Sequence, residues 1–289
     1  MSHPSLMTQR AQKTLYVSDL DGTLLNTESM VSQKTADGLN RLIVDGALFT
    51  IATARTPATV VPLMQGVDMR LPFIVLNGAT LWNNAQETYE QVHVIDPAVV
   101  KQVCEVFEGR GLHPFVYRRE GHMIYAHHVG SLSKQEKIFV QERMNLPLKE
   151  FFLEDEHYSE HPDVMLIYSM QDYGKLRRVY ETLQTEIDCS PFLYHDIYDF
   201  ESGLIEVYRQ GVSKAQAIRA LAQQCGAARI VVFGDNRNDI PMLQAATVAV
   251  AMDNAFPEVK AVAHEVIGDN NADSVVRWIE QDFYGTSKQ

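Results

Sequence analysis

Short apolar runs that each end in a polar cluster, separated by amphipathic stretches, occupy both ends of this chain. That alternation restricts the fold more than any other feature. Near the start come LYVSDLDGT, a helical pattern over Lys34 to Asp45, ALFTIATAR, a helix near Ala58 to Gln65, and PFIVLNGA. Strand, helix, strand, helix, strand is the pattern of a parallel sheet. The last part repeats it, with a helix after Ser213, then ARIVVFGD, a helix after Pro241, TVAVAM, a helix near Pro257 to Ala263, and EVIG. This reads as more sheet of the same kind.

Between these parts, from about Ala85 to Arg209, the texture changes. HPFVYRR and HMIYAHH flank Glu120-Gly121, DVMLIYSM follows, a helix covers Asp172 to Ile187, and FLYHDIYDF with LIEVY predicts a hairpin. Alternating runs around tight turns predict antiparallel strands. The expected fold class is therefore α/β, a doubly wound Rossmann-like parallel core split by an inserted α/β domain. The core is expected over 13–84 and 210–289, and the insert over 85–209.

The chain has 289 residues, 46% of them apolar and 21% charged, enough for two ordinary cores. Its termini, MSHPSLMTQR and GTSKQ, read as short polar tails. A formal net charge of −12 with no basic run argues against a nucleic-acid partner. An acidic protein that handles an anionic substrate must instead concentrate cations locally, by a metal or by a few Lys and Arg. No apolar stretch approaches a membrane span and no signal sequence is visible, so the expected location is cytoplasmic with no membrane partner. Cys104, Cys189 and Cys225 are odd in number and far apart, and are expected to be small structural apolar groups. Nothing in the sequence sets an oligomeric state.

In an open parallel sheet, ligands bind beyond the carboxyl ends of the strands. The polar residues fall there: Asp19 and Asp21 after LYVS, Thr53 and Arg55 after LFTIA, Asn77 after FIVL, and Asp235, Asn238 and Asp239 after IVVFG. Asp19 and Asp21 are two apart, so if the extended conformation persists, both carboxylates point to one side. Paired carboxylates repel, and a Mg²⁺ held by one or two of them together with water and substrate phosphate oxygens resolves the conflict. Asp235 is the natural second ligand. Gly22 permits a tight turn after the pair, and Thr23 offers a hydroxyl or an amide to a phosphate oxygen. Lys214 follows Ser213, which reads as a helix N-cap. A cation there is disfavoured by the helix dipole and calls for a functional reason.

Taken together, DLDGT, a Thr at the end of the next strand, a Lys at a helix start and GDNRND resemble the haloacid dehalogenase superfamily, and within it the Cof-type subfamily with a large α/β cap. The resemblance runs from Leu15 to the final helix. It implies that Asp19 is the nucleophile, and that Asp21 is the acid toward the leaving oxygen and then the base toward water. It implies that Thr53 and Lys214 bind the transferring phosphoryl group, and that Asp19, the backbone carbonyl of Asp21 and Asp235 hold Mg²⁺. Asn238 and Asp239 would support the metal, with Asn77, Asn238 and Arg55 near substrate; the residues alone equally allow Asn77 to satisfy a strand-to-loop turn with Gly78 and Arg55 to pair with a core carboxylate. Ala54 and Ala215 stand where the family usually has glycine.

The implied activity is hydrolysis of phosphomonoesters of small metabolites through an aspartyl-phosphate. A phosphomutase, in which a sugar hydroxyl replaces water, is the alternative within the superfamily. A phospho-Asp signalling domain fits less well, because it needs neither Asp21 nor the insert. In the insert, His127-His128 and the run Glu154, Asp155, Glu156, His157, Glu160, His161 match no metal spacing and are expected to be a solvated loop. Arg118 and Arg119 read as a hairpin edge with an option on anionic substrate, and Trp82 and Trp278 as packing residues.

Overall fold

A computed structural model describes residues 13–195 and 201–285. Most of the polar tails and the end of FLYHDIYDF, 196–200, lie outside the described residues. In chain order the strands are β1 Thr14–Ser18, β2 Leu48–Ile51, β3 Phe73–Val75, β4 Thr80–Asn83, β5 Thr88–Glu90, β6 Phe115–Glu120, β7 Met123–His127, β8 Lys149–Phe152, β9 Val164–Asp172, β10 Cys189–His195, β11 Ser202–Arg209, β12 Arg229–Gly234, β13 Val248–Met252 and β14 Glu265–Ile267. The α-helices are α1 Gln33–Val44, α2 Pro57–Leu63, α3 Pro97–Glu108, α4 Lys134–Arg143, α5 Tyr173–Glu186, α6 Lys214–Cys225, α7 Ile240–Ala245, α8 Pro257–Val262 and α9 Ser274–Gly285. The chain divides into two compact units, one of 1–52, 63–71 and 218–289, the other of 53–62 and 72–217. By compactness 53–62, 72–84 and 210–217 fall with the antiparallel sheet, and the division cuts through α2 and α6.

The first unit is built on a five-stranded sheet of order β14-β13-β12-β1-β2, parallel throughout. β1 and β12 are its centre. Their residues Leu15, Tyr16, Val17, Val231, Val232 and Phe233 are all buried, as strands covered on both faces require. Helix α1 forms because Ser32 caps it, accepting from Thr35 N at 3.0 Å, and because Ala36, Leu39, Leu42 and Ile43 recur on one face. Helix α9 is tied to the sheet through Asp282, which accepts from the Tyr16 hydroxyl at 2.7 Å and from both ends of the Arg229 guanidinium. Bidentate, partly buried pairs of this kind are stronger than ordinary surface ion pairs.

The second unit carries a six-stranded sheet of order β10-β11-β9-β6-β7-β8 and a three-stranded one of order β3-β4-β5. The hairpin expected around Glu120-Gly121 is β6-β7, turning at Gly121 with φ +58°. The expected hairpin near the end is β10-β11, with Phe192 opposite Glu206. Val100, Val103 and Phe107 of α3 and Leu176, Val179 and Leu183 of α5 form one core with Ile167 and Ile205 of the sheet. Each such side chain contributes about 1.5–3 kcal/mol on burial. A second cluster gathers Phe115, Tyr117, Ile124, Met165 and Tyr208.

One expectation is corrected. Phe73–Val75 does not join the parallel sheet. Its strand partner is β4, antiparallel, and Thr53 N to Ile74 O and Leu76 N to Arg55 O join its other side to the segment 53–55. Two consecutive left-handed residues, Leu76 and Asn77, both with φ +51°, turn the chain back at once. Among the described residues no helix is long and apolar enough to cross a membrane. Trp82 is fully buried edge-on to Tyr89, and Trp278 packs on Phe233 while donating to Glu265. Burial pushes the Cys104 and Cys189 thiols up to about 12, so neither is a ready thiolate.

His128 is fully buried with its ring stacked on Phe115 at 4.6 Å. Burial lowers it from 6.5 to about 4. A histidine whose folded value lies below its unfolded one is held neutral, so its stabilising contribution is complete above 6.5 and is lost as pH falls toward 4. His128→Phe should therefore melt progressively higher than the wild type as pH is lowered through that window. A difference in melting temperature that stays constant with pH would contradict this.

Candidate active site

In the first unit the sheet brings two distant motifs together. β1 and β12 are parallel neighbours with Ser18 opposite Phe233, so the residues that follow, Asp19 and Asp235, leave adjacent strands at the same end. Asp19 N donates to Phe233 O at 3.0 Å, which locks that alignment. One carboxylate oxygen from each of Asp19, Asp235 and Asp239 lies within 4.8 Å of the others, and all three residues are buried.

The surroundings are shaped to allow this. After Asp19 the chain loops through Leu20–Leu24, closed by Leu25 N to Leu20 O at 2.9 Å, with Gly22 at φ +76°. A Cβ on Gly22 would lie 2.4 Å from Asp235 Oδ2, so glycine is required both by the conformation and by the approach of the carboxylate. Gly234 plays the same part for Asp239, whose Cβ would be 2.8 Å from an added methyl. Asp239 Oδ2 accepts from the amides of Asp235 and Asn236, each at 3.1 Å, and holds the loop in shape.

Asp19 (φ −63°, ψ 165°) and Asp21 (φ −73°, ψ 121°) both keep extended backbone angles, and Gly22 turns the chain directly after them. Asp21 is exposed and its carboxylate stands outside the buried group. The Thr23 hydroxyl, offered in the sequence reading to a phosphate oxygen, donates to Asp235 Oδ1 at 2.7 Å and thereby orients a carboxylate. Three buried carboxylates in this space repel unless a cation is among them, and hard oxygen donors suit Mg²⁺. Asn238 Oδ1 is also buried and has no hydrogen-bond partner among the described residues. The donor set fits a divalent cation on these grounds.

The second unit holds Thr53, Arg55, Asn77 and Lys214. Thr53 is buried, its Oγ1 accepts from Arg55 N at 3.1 Å and its carbonyl accepts from Asn77 N at 3.0 Å. Asn77 sits in the left-handed region, as the turn reading requires, and spends its side-chain amide on Glu206 Oε2 at 2.7 Å and the Tyr208 hydroxyl at 3.5 Å. Gly78, at φ +92°, packs so tightly that a Cβ would lie 2.5 Å from the Ser213 carbonyl. Ser213 caps α6, its Oγ accepting from Gln216 N at 3.2 Å, and the next residue, Lys214, is buried. Thr53, Asn77, Glu206 and the start of α6 are thus linked by contacts within this unit.

Glu206 is a residue the sequence reading missed. Burial pushes its carboxyl up to about 7, against the Tyr208 hydrogen bond, the charge of Lys214 and the Asn77 amide. The only signal was an acid within the strand LIEVY, which alternation alone would place on an ordinary polar face.

In the run from Glu154 to His161 most acids and His157 are exposed, as expected of a loop. Asp155 departs from that picture by bonding both His127 Nδ1, at 2.7 Å, and His161 Nε2. Arg118 Nε donates to His127 Nε2 at 3.0 Å, which completes a chain of hydrogen bonds, and Arg118 also pairs with Glu120 across the hairpin edge. Arg119 faces Asp163.

Comparison with known proteins accords with these features. The family model for haloacid dehalogenase-like hydrolases matches residues 16–279. A 5-amino-6-(5-phospho-D-ribitylamino)uracil phosphatase of Bacillus subtilis is 26% identical over 273 residues, 93% of this chain and 97% of its own length. A pyridoxal phosphate phosphatase of Escherichia coli is 28% identical over 282 residues, 90% of this chain and 95% of its own. A haloacid dehalogenase-like hydrolase from Bacteroides thetaiotaomicron shares the fold, with a TM-score of 0.76 at 24% identity, covering 94% of this chain and 100% of that one. With the acidic strand ends aligned as described, the chain belongs to the haloacid dehalogenase-like hydrolases.

Proposed function

We propose that this protein is a Mg²⁺-dependent phosphomonoesterase of small phosphorylated metabolites that works through a phosphoryl group carried on Asp19. The observation that carries the reading is the convergence of Asp19, Asp235 and Asp239 at the ends of β1 and β12. Asp19, the carbonyl of Asp21 and Asp235 would hold the cation, with Asn238 and Asp239 supporting it. Bound there, Mg²⁺ would neutralise carboxylate and phosphoryl charge.

A carboxylate oxygen of Asp19 attacks phosphorus, and the bond to the leaving oxygen breaks. Asp21, whose carboxyl stands outside the buried group, gives that oxygen its proton. The resulting carboxylate takes a proton from water, the water oxygen attacks phosphorus, and the bond to Asp19 breaks to return the starting enzyme. Thr53 and Lys214 bind the phosphoryl oxygens, Lys214 by charge and Thr53 by hydrogen bonding. The substrates of the two phosphatases named above, each a phosphate ester on a small molecule, support the same substrate class, and we expect tolerance across several such esters.

Phosphate release from a panel of phosphorylated metabolites should require Mg²⁺ and fall by about a thousandfold or more in Asp19→Asn. Folded wild-type protein that released no phosphate from any monoester would overturn the reading. Gly22→Ala forces a methyl against Asp235 and strains the backbone, so calorimetry should show Mg²⁺ bound at least about tenfold more weakly, with a stability loss of about 1–3 kcal/mol. Unchanged Mg²⁺ affinity in that variant would remove Asp235 from the ligand set.

A further inference from the structure

The second unit contains a cavity of about 160 Å³ whose chemistry is not used by phosphoryl transfer. Ala54, Arg55 and Thr56, immediately after Thr53, form part of its wall, and Tyr117, Phe139 and Tyr168 supply aromatic faces. Its charged members are Arg55, Arg143, Lys149 and Glu206, three cations to one carboxyl.

Lys149 is the unusual member. It is only 4% exposed, yet its ammonium has one hydrogen-bond partner, the Tyr117 hydroxyl at 2.9 Å, and no carboxylate within ion-pair distance among the described residues. Three rings surround it, with Nζ 4.3 Å from the centre of Tyr117, 5.0 Å from Phe139 and 4.6 Å from Phe151. Cation–π contacts offset part of the cost of taking an ammonium out of water but offer no acceptor to its remaining N–H donors. Burial, aided by the charge of Arg143, holds its titration well below the ordinary lysine range. An anion brought into the cavity would relieve both the unsatisfied donors and the unbalanced charge.

The size and walls specify what carries that anion. A cavity near 150 Å³ accommodates a single benzene-sized ring, and aromatic faces favour a flat one. Because the wall begins one residue after Thr53, a phosphoryl group held by Thr53 would direct the rest of the ester into this space. We infer that the cavity receives the leaving group of the phosphoester, and that this leaving group is a flat ring bearing an acidic oxygen, paired with Lys149. This rests on the phosphatase reading above and narrows its substrate class. Glu206, already engaged by Asn77, lies in the wall without cancelling the cationic excess.

The test compares two esters that differ only in the acidic group, para-carboxyphenyl phosphate and phenyl phosphate. Wild-type kcat/KM should favour the carboxylated ester by about tenfold or more, and Lys149→Met, which keeps the stem but removes the charge, should erase that ratio. A wild-type ratio near one, or a preference that survives Lys149→Met, overturns the inference. The wild-type comparison stands even if the variant fails to fold. If neither ester is turned over, the phosphatase reading is decided by its own panel of metabolites, and the cavity is judged by calorimetry with para-hydroxybenzoate. Binding to wild type that is lost in Lys149→Met upholds the anionic-ring site, and no binding to wild type overturns it.

Discussion

Three carboxylates buried within a few ångströms of one another cannot be held together by packing alone, and much of the first unit is arranged around that repulsion. Parallel pairing of β1 with β12 sets Asp19 and Asp235 side by side. Gly22 and Gly234 give up side chains so that Asp235 and Asp239 can approach. Thr23 and the amides of Asp235 and Asn236 fix the directions of the oxygens. Together these features hold a buried acidic group whose oxygen donors suit a divalent cation.

The second unit shows the same economy on polar rather than acidic ground. Glu206, Tyr208 and Asn77 are buried and satisfy one another, and Gly78 closes against the carbonyl that precedes Lys214. Buried polar networks are tolerable when each member has a partner. Lys149 is the exception, since aromatic faces replace the carboxylate that usually accompanies a buried lysine. A deficit of this sort in a natural fold marks a place where a ligand supplies the missing group.

Much of this was legible in the sequence. The strand–helix alternation at the two ends yields the parallel sheet because its central strands, β1 and β12, are buried apolar runs of the right length. The polar residues at the ends of those runs identified the acidic cluster, since sheet topology converts strand ends into neighbours. What was not legible has local causes. The helix α3 opens with Asp96-Pro97 and α4 with a capping box of Ser133 and Glu136, signals that were present but masked by the surrounding strand-like texture. The left-handed pair Leu76-Asn77 folded β3 back onto β4, which no periodicity announces. Lys149 was invisible because its partners are remote in sequence, and Asp155 was read as one acid of a solvated loop because periodicity does not show that it meets His127 and His161.

The central claim is that Asp19 carries the phosphoryl group, and it is tested most directly by acid-quenching the protein during turnover and locating the modification by peptide mass spectrometry. The account predicts one added phosphoryl group on the peptide containing Asp19, labile to hydroxylamine as an acyl phosphate is, and absent from Asp19→Asn. Turnover without any such adduct, in a variant slow enough in its second step to accumulate one, or an adduct on another residue, would contradict it.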